Sequence, residues 1–192
     1  AVAVSGNRGA LAEVNAETDF VARNPIFQNF AKAVAELALS AGGDIDKLRA
    51  AKFPGTGRSV EEEAKFLVAS IGENIQVRRT AILESGKGAV AAYVRNQAAP
   101  GLGKIGVLVA LESPGDAKAL AAVGRQLAMH VAAAAPQFAR IEDVDPAARE
   151  RERSVLVEQA RASGKAEEFI AKMVEGRLRK WYEEVVLTEQ VY

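Results

Sequence analysis

Residues 9–25, GALAEVNAETDFVARNP, join the three local signals on which the fold interpretation depends. Gly9–Val14 is an apolar run typical of a strand, and Thr18 is suited to be the N-cap of a short helical turn. Asn24 and Pro25 supply the N-cap and first position of a longer helix. The stretch therefore predicts a strand, a single helical turn and then a helix.

Asp19 and Phe20 stand side by side in this turn, and the residues alone leave two interpretations open. In the first, the negative charge of Asp19 interacts favourably with the helix dipole at the first turn, and Phe20 belongs to the core. In the second, both side chains face outward and contact another protein. The exposure of Phe20 would distinguish them, because a large exposed aromatic at a helix start needs a partner to explain it.

Composition limits the functional classes. The 192-residue chain has 25 basic and 25 acidic residues and no cysteine. Zero net charge argues against direct nucleic-acid binding, and the absence of cysteine excludes disulfides, thiol catalysis and cysteine–metal sites. No apolar run has the length of a membrane span, and no signal peptide is visible.

The first half of the chain predicts a sheet with helices. Ala1–Ser5 and Ala10–Val14 flank a Gly/Asn-rich turn, which indicates a hairpin. A Ser59/Glu62 capping box should open a second helix. The first helix, which begins at Pro25, should bury one face, formed by Ile26, Phe27, Phe30, Val34, Leu37 and Ala38. Glu73–Glu84 is expected to be a strand with one apolar face formed by Ile75, Val77, Ala81 and Leu83.

The second half repeats this order faintly. Strands are expected at Ala89–Arg95 and Ile105–Glu112, followed by a helix after Pro114 whose apolar face is Leu120, Val123, Leu127 and Val131. At an offset of 97 residues, Gly9–Val14 aligns with Gly106–Leu111. Chance and two related α+β subdomains, each with helices on one face of a small antiparallel sheet, both remain explanations.

Residues 142–186 differ from the rest because charges of both signs are dense along a thin apolar seam. Asp145-Pro146 caps one helix, Ser163-Gly164-Lys165 interrupts, and a second helix runs from Ala166 to about Val186. The seam of the second helix is Ile170, Val174, Leu178, Trp181 and Val185. This pattern predicts an antiparallel helical hairpin, which either projects into solvent as a coiled coil or packs against the core.

Two candidate chemical sites have ordinary explanations. Gly101–Gly106 matches G-x-G-x-x-G, but a strand follows it, whereas a dinucleotide site needs a helix there. His130 is the only histidine and lies at the edge of an apolar stripe without acidic partners at helical spacing. No catalytic residue, cofactor site or metal site is predicted.

Residues 13–24, EVNAETDFVARN, closely resemble the signature of the elongation factor Ts family. Segments 71–79, 105–109, 127–133 and 174–178 resemble the same family in the same order. The resemblance implies a core of two subdomains, 1–85 and 86–141, with a hairpin at 142–186 and a return segment at 187–192. It also implies that an N-terminal helical module and the extreme C-terminal part of the family are missing from this chain.

The resemblance further implies a function. The family exchanges guanine nucleotide on elongation factor Tu in the bacterial cytoplasm, without bond chemistry of its own. Asp19 and Phe20 match the pair that enters the partner near its magnesium site. His130 matches a histidine at the contact with another domain of the partner, and Ile105 and Gly106 match a strand start near that contact. The expected partner-binding residues are Thr18, Asp19, Phe20, Val21, Ile105, Gly106 and His130.

A different class of protein remains as the alternative. The charged hairpin could serve a scaffold module that binds a partner and exchanges nothing. Dimerisation through the same hairpin is a further expectation that the sequence leaves open.

Overall fold

The computed structural model describes residues 1–164 and 166–192, which form two compact units, 1–132 and 133–192. The first unit has five strands and five helices, all of whose bounds follow: β1 Val2–Ser5, β2 Arg8–Asn15, α1 Asp19–Ala22, α2 Pro25–Ala41, α3 Ile45–Ala50, α4 Val60–Ile71, β3 Gln76–Glu84, β4 Gly88–Ala99, β5 Leu102–Glu112 and α5 Ala117–Ala134, whose last two residues belong to the second unit. The predicted α+β fold is confirmed.

Two antiparallel sheets, β1-β2-β3 and β4-β5, lie face to face in the first unit. Ala10 and Ala12 of β2 lie on the face of the first sheet that is turned away from the second sheet. They share a buried cluster with Phe30 and Val34 of α2. Val107 of β5 shares another with the buried alanines of α5. The unit is therefore layered as helices, sheet, sheet and helix, and each sheet has helices on one face only.

The two sheets approach each other closely at two glycines. A Cβ atom on Gly9 would lie 2.7 Å from Val90 Cγ1 and 3.0 Å from Leu108 Cδ2. A Cβ atom on Gly106 would lie 2.7 Å from Leu11 Cδ2. The two contacts are equivalent under the offset of 97, since Gly9 aligns with Gly106 and Leu11 with Leu108. The sequence repeat thus coincides with a structural symmetry of the sheet contact.

The predicted helix starts are confirmed in detail. Asn24 Oδ1 accepts from the N–H of Ile26 at 2.8 Å, and Asp145 caps the first helix of the hairpin. Ser59 and Glu62 form both hydrogen bonds of the capping box, at 3.1 and 2.7 Å. These local rules succeed because a cap bonds only to residues two or three positions away.

The predicted face of β3 is wrong. Ile75 and Val77 are buried, but Ala81 is exposed and Leu83 is 40% exposed. The strand pairing jumps from Glu13–Arg79 to Val14–Val77, so that Arg78 is an extra residue in β3. A bulge of one residue reverses the alternation of faces beyond it.

Other predictions needed adjustment. Ile26 was expected on the packed face of α2 but is 57% exposed, and α3 was not predicted at all. The hairpin of β4 and β5 is longer than expected, because both strands extend to a tight turn at Pro100-Gly101.

The packed face of α5 is displaced from the predicted one. Its buried residues are Gly124, Ala128 and Ala132, whereas Val123 is 47% exposed. A Cβ on Gly124 would lie 2.8 Å from the Cβ of Ala91, so this helix approaches its sheet on small residues. The predicted face was wrong because apolar periodicity indicated the larger side chains, which lie at the border of the packed face.

The second unit contains the predicted antiparallel helical hairpin. Its helices are α6 Pro146–Ala162 and α7 Glu167–Val185, and Leu156 and Ala160 of α6 pack against α7. Of the predicted seam, Ile170, Val174, Leu178 and Val185 are buried and Trp181 is half-buried. Lys165, part of the predicted interruption, lies outside the described residues. The finer boundaries at 85/86 and 141/142 stay predictions, as does the choice between a projecting and a packed hairpin.

Gly124→Ala should destabilise the protein although alanine is the better helix former. The clash with Ala91 involves a Cβ atom that cannot move without its backbone, and overpacking of this kind costs about 1–3 kcal/mol. We expect a net loss of about 1–2 kcal/mol in the free energy of unfolding, measured by denaturant titration.

Gly176→Ala is the matched control. Gly176 also lies within a helix, but a Cβ there would meet no atom within 4 Å. This substitution should stabilise α7 by about 0.5–1 kcal/mol. Equal stabilities for Gly124→Ala and the wild type would contradict the close helix–sheet contact.

Candidate partner-binding site

A single helical turn, α1, follows β2 and carries the acid–aromatic pair. Thr18 has extended backbone angles, and its Oγ1 accepts from the N–H of Val21 at 3.4 Å, as its predicted role as N-cap requires. Val21 is 7% exposed and belongs to the main core cluster. Val21 therefore anchors the turn on its inner side, where Ala22 packs against the same cluster.

Phe20 faces the opposite way and is 86% exposed, the highest value for any aromatic among the described residues. Its assignment to the core, one of the two sequence interpretations, is wrong. Asp19 occupies the first turn and is also exposed, so both predicted probe residues are accessible to solvent. Burial of a phenylalanine side chain contributes about 1.5–3 kcal/mol, which this side chain forgoes in the free protein.

The start of β5 lies beside this turn. Lys104 Nζ and Asp19 Oδ1 are 3.3 Å apart, and both side chains are about 70% exposed. Ile105 follows at 41% exposure. The structure therefore brings together two segments that the resemblance assigned separately to partner contacts, 18–21 and 105–106.

A cleft of about 1110 Å³ opens between these segments. Asp19, Ile105 and Gly106 of the predicted set line it, while Phe20 does not. Asn96–Ala98 of β4 and the carboxylate of Glu13 lie on other walls. The cleft thus adjoins the exposed turn and does not contain its aromatic residue.

Glu73 connects α1 to the helical layer. Its Oε1 accepts from the hydroxyl of Thr18 at 2.7 Å, and its Oε2 accepts from the backbone N–H of Thr18 at 3.1 Å. Glu73 directly follows Gly72, the left-handed C-cap of α4. The N-cap of α1 is consequently held by two bonds to one carboxylate.

Glu13 forms a compact charge cluster at the β-bulge. Its Oε1 accepts from Arg78 at 2.9 Å, and its Oε2 accepts from Arg79. The hydrogen bonds from Arg78 and then Arg79 lower the pKa of Glu13 to about 2. The bulge thereby places two consecutive arginines on one carboxylate.

His130 lies apart from the cleft. It is half-buried on α5, among neither the cleft-lining residues nor those around α1. Over residues 1–164 and 166–192 there is no group of three acidic, histidine or cysteine side chains that could hold a metal ion, and no helix long and apolar enough to span a membrane.

Sequence reasoning missed Glu73 and Lys104 as parts of this site. Glu73 lies 55 positions from Thr18 along the chain, and no local periodicity connects such distant residues. Glu73 also lies in segment 71–79, which resembles the family, but neither that resemblance nor its position after the helix-ending Gly72 indicates a contact with Thr18.

Comparison with known proteins identifies the family of the chain. A family model described as Elongation factor TS matches residues 17–192. The chain belongs to the elongation factor Ts family. It is 59% identical to the elongation factor Ts proteins of Rhodospirillum centenum and Rhodospirillum rubrum and 56% identical to that of Gluconobacter oxydans, in each case over the whole chain.

The chain spans about 62% of the length of these curated elongation factor Ts relatives. The region matched by the family model nevertheless includes α1, the strands β3 to β5 and the helical hairpin. Of the segments that carried the sequence resemblance, only residues 13–16 lie outside this region. The activity of a whole elongation factor Ts remains to be proposed for this chain.

Glu13→Gln should make the free energy of unfolding less dependent on pH in the acidic range. A carboxyl group with a lowered folded-state pKa stabilises the fold above its unfolded pKa and loses that effect as pH falls through the folded value. For Glu13 this window runs from the ordinary value of 4.5 down to about 2.

The measurement is urea unfolding of wild type and Glu13→Gln between pH 6 and the lowest pH at which both remain folded. The wild type should be the more stable at pH 6, and the difference should shrink as the pH is lowered. A difference that stays constant over this window would contradict the charge cluster.

Proposed function

We propose that this protein is a translation elongation factor that binds elongation factor Tu and promotes the release of its GDP. The observation that carries the proposal is Phe20, an 86% exposed phenylalanine on a capped and anchored turn in a member of the elongation factor Ts family. Such a residue is suited to insert into a partner, where desolvated aromatics contribute most of the binding energy.

The mechanism is thermodynamic linkage. A factor that binds the nucleotide-free partner more tightly than the GDP-bound partner must weaken GDP binding by the same ratio. Insertion beside the partner's magnesium site is effective because Mg²⁺ requires near-ideal octahedral geometry, so that small displacements of its ligands are costly. No covalent step on the factor is required.

The proposed roles follow the geometry of the site. Phe20 supplies the apolar insertion, and Asp19 supplies a charge beside it. Thr18 and Val21 hold the turn, the former as its cap and the latter in the core. Ile105 and Gly106 extend the same surface. His130, on α5, is assigned to a second contact with another domain of the partner.

The cellular setting follows from the same proposal. The relatives named above are bacterial, so that a bacterial cytoplasm is the default setting, with an organelle as the alternative. Zero net charge favours a protein partner over direct contact with nucleic acid or an anionic membrane.

A scaffold that binds through the hairpin is the second candidate. It is favoured by Phe169 of α7, 58% exposed, and Val155 of α6, 48% exposed. Such a surface also suits pairing of two hairpins. Deletion of 146–185 would abolish partner binding by a scaffold, while substitutions at Asp19 and Phe20 would be silent.

Phe20→Ala should slow GDP release without unfolding the protein. Loss of an interface hot spot of about 2 kcal/mol corresponds to about 30-fold in affinity. We expect a decrease of that order in the release of a fluorescent GDP analogue from elongation factor Tu at limiting factor concentration. The free energy of unfolding should change by less than about 0.5 kcal/mol, because the side chain has few contacts to lose.

The control is Phe169→Ala, which removes another exposed phenylalanine from a helix. It should leave GDP release unchanged. Normal release with Phe20→Ala would overturn the proposed insertion, and loss of binding with Phe169→Ala alone would favour the scaffold.

Asp19→Ala separates partner contact from helix capping. Asp19 makes one exposed ion pair and lies in a first helical turn, and each contributes at most about 1 kcal/mol. The loss in the rate of GDP release, converted to a free energy, should therefore exceed the loss in the free energy of unfolding measured by thermal unfolding. A large loss of stability with normal exchange would assign Asp19 a purely structural role.

A further inference from the structure

We infer that Glu73 is a positioning residue for exchange: its carboxylate holds α1 in the orientation that presents Phe20. The inference rests on the proposed function, because it concerns how the inserting residue is prepared for the partner. Glu73 lies on another segment and contacts Thr18, two residues before Phe20.

Both oxygens of Glu73 are used on the same residue. Oε1 accepts from the Thr18 hydroxyl at 2.7 Å, and Oε2 accepts from the Thr18 N–H at 3.1 Å. Hydrogen bonds to an ionised acceptor are stronger than neutral ones. Two such bonds fix both the position of the N-cap and the rotamer of its side chain, whose oxygen also caps Val21.

The turn needs this restraint because it is too short to be stable alone. A helix of four residues lies far below the length at which isolated helices form in water. The bond from Val21 N–H to Thr18 Oγ1 is long at 3.4 Å, and the Asp19–Lys104 pair is exposed on both sides and therefore weak. On the α2 side, Gln28 Nε2 donates to the Ala22 carbonyl at 3.1 Å and Ala22 packs against the core cluster. At the N-terminal end, the burial of Val21 and the bonds to Glu73 hold the turn.

Glu73 is itself well placed to act as a fixed point. It lies between Gly72, whose φ of 86° ends α4, and Gln76, where β3 begins. α4 is tied to the core through Val60 and Leu67, both at most 3% exposed. A carboxylate on this short connection transmits the position of the helical layer to α1.

The consequence is preorganisation. If α1 is ordered before the partner binds, the ordering cost does not reduce the binding free energy. Loss of the Glu73 contacts should therefore raise the factor concentration needed for half-maximal GDP release. The rate at saturating factor should stay the same, because Phe20 is intact and acts once bound.

The test compares the full chain as wild type, Glu73→Ala, Glu73→Gln and Glu61→Ala. Glu73→Gln keeps the shape and one acceptor oxygen. Glu61→Ala is the control, because Glu61 is an exposed residue of α4 that pairs only with Lys65 one turn away, at 3.2 Å. For each variant, GDP release is measured against factor concentration, and amide hydrogen exchange is measured at residues 21–23.

We expect Glu73→Ala to raise the half-maximal concentration about tenfold, which corresponds to about 1.4 kcal/mol. Amide exchange at 21–23 should accelerate by a similar factor, and the saturating rate should stay within twofold. Glu73→Gln should lie between Glu73→Ala and wild type, and Glu61→Ala should match wild type in every measurement.

Several results would overturn the inference. One is a GDP-release curve for Glu73→Ala that superposes on that of wild type. Another is a raised half-maximal factor concentration with unchanged amide hydrogen exchange at 21–23. If Glu73→Ala fails to fold, the near-isosteric Glu73→Gln replaces it. Normal GDP release with Glu73→Gln, together with faster amide hydrogen exchange at 21–23, would also overturn the inference. If the wild-type factor promoted no GDP release from elongation factor Tu, the proposed function would fail instead. Amide hydrogen exchange in Glu73→Ala would still report whether the carboxylate holds α1.

Discussion

The contact between the two sheets at Gly9 and Gly106 sets the geometry of the first unit. Because neither residue has a side chain, Leu108 and Leu11 can lie against the opposite backbone, and the sheets come close enough to share one interface. The same approach places the start of β5 beside the end of β2. Lys104 can therefore reach Asp19, and the two predicted partner-binding segments form one surface.

The turn that follows β2 depends on this framework. Val21 directs one side of α1 into the core, and Glu73 holds its cap from the helical layer, so that Phe20 is left on the solvent side. Exposure of Phe20 follows from the anchoring of its neighbours. In this account the protein tolerates an exposed aromatic because its burial is reserved for a complex, which is where the proposed binding energy arises.

The sequence predicted the local features and the class of the fold, and it failed where distant residues interact. Thr18 and Asn24 were identified as caps because capping depends on adjacent positions. The extra residue at Arg78 could not be seen, since a bulge is defined by the pairing of two strands. The orientation of Phe20 was undecided because one helical turn has too few residues for a period. The role of Glu73 was missed because its partner is remote in sequence.

If Phe20 enters the nucleotide-binding domain of elongation factor Tu, as proposed, a reactive group at position 20 should lie against that domain in the complex. The most direct measurement is photo-crosslinking, with a benzophenone-bearing phenylalanine at position 20 and, separately, at position 169, each irradiated with nucleotide-free elongation factor Tu. We expect a cross-link from position 20 to the nucleotide-binding domain, reduced by excess GDP as linkage requires, and none from position 169. A cross-link from position 169 together with none from position 20 would overturn the proposed insertion of Phe20.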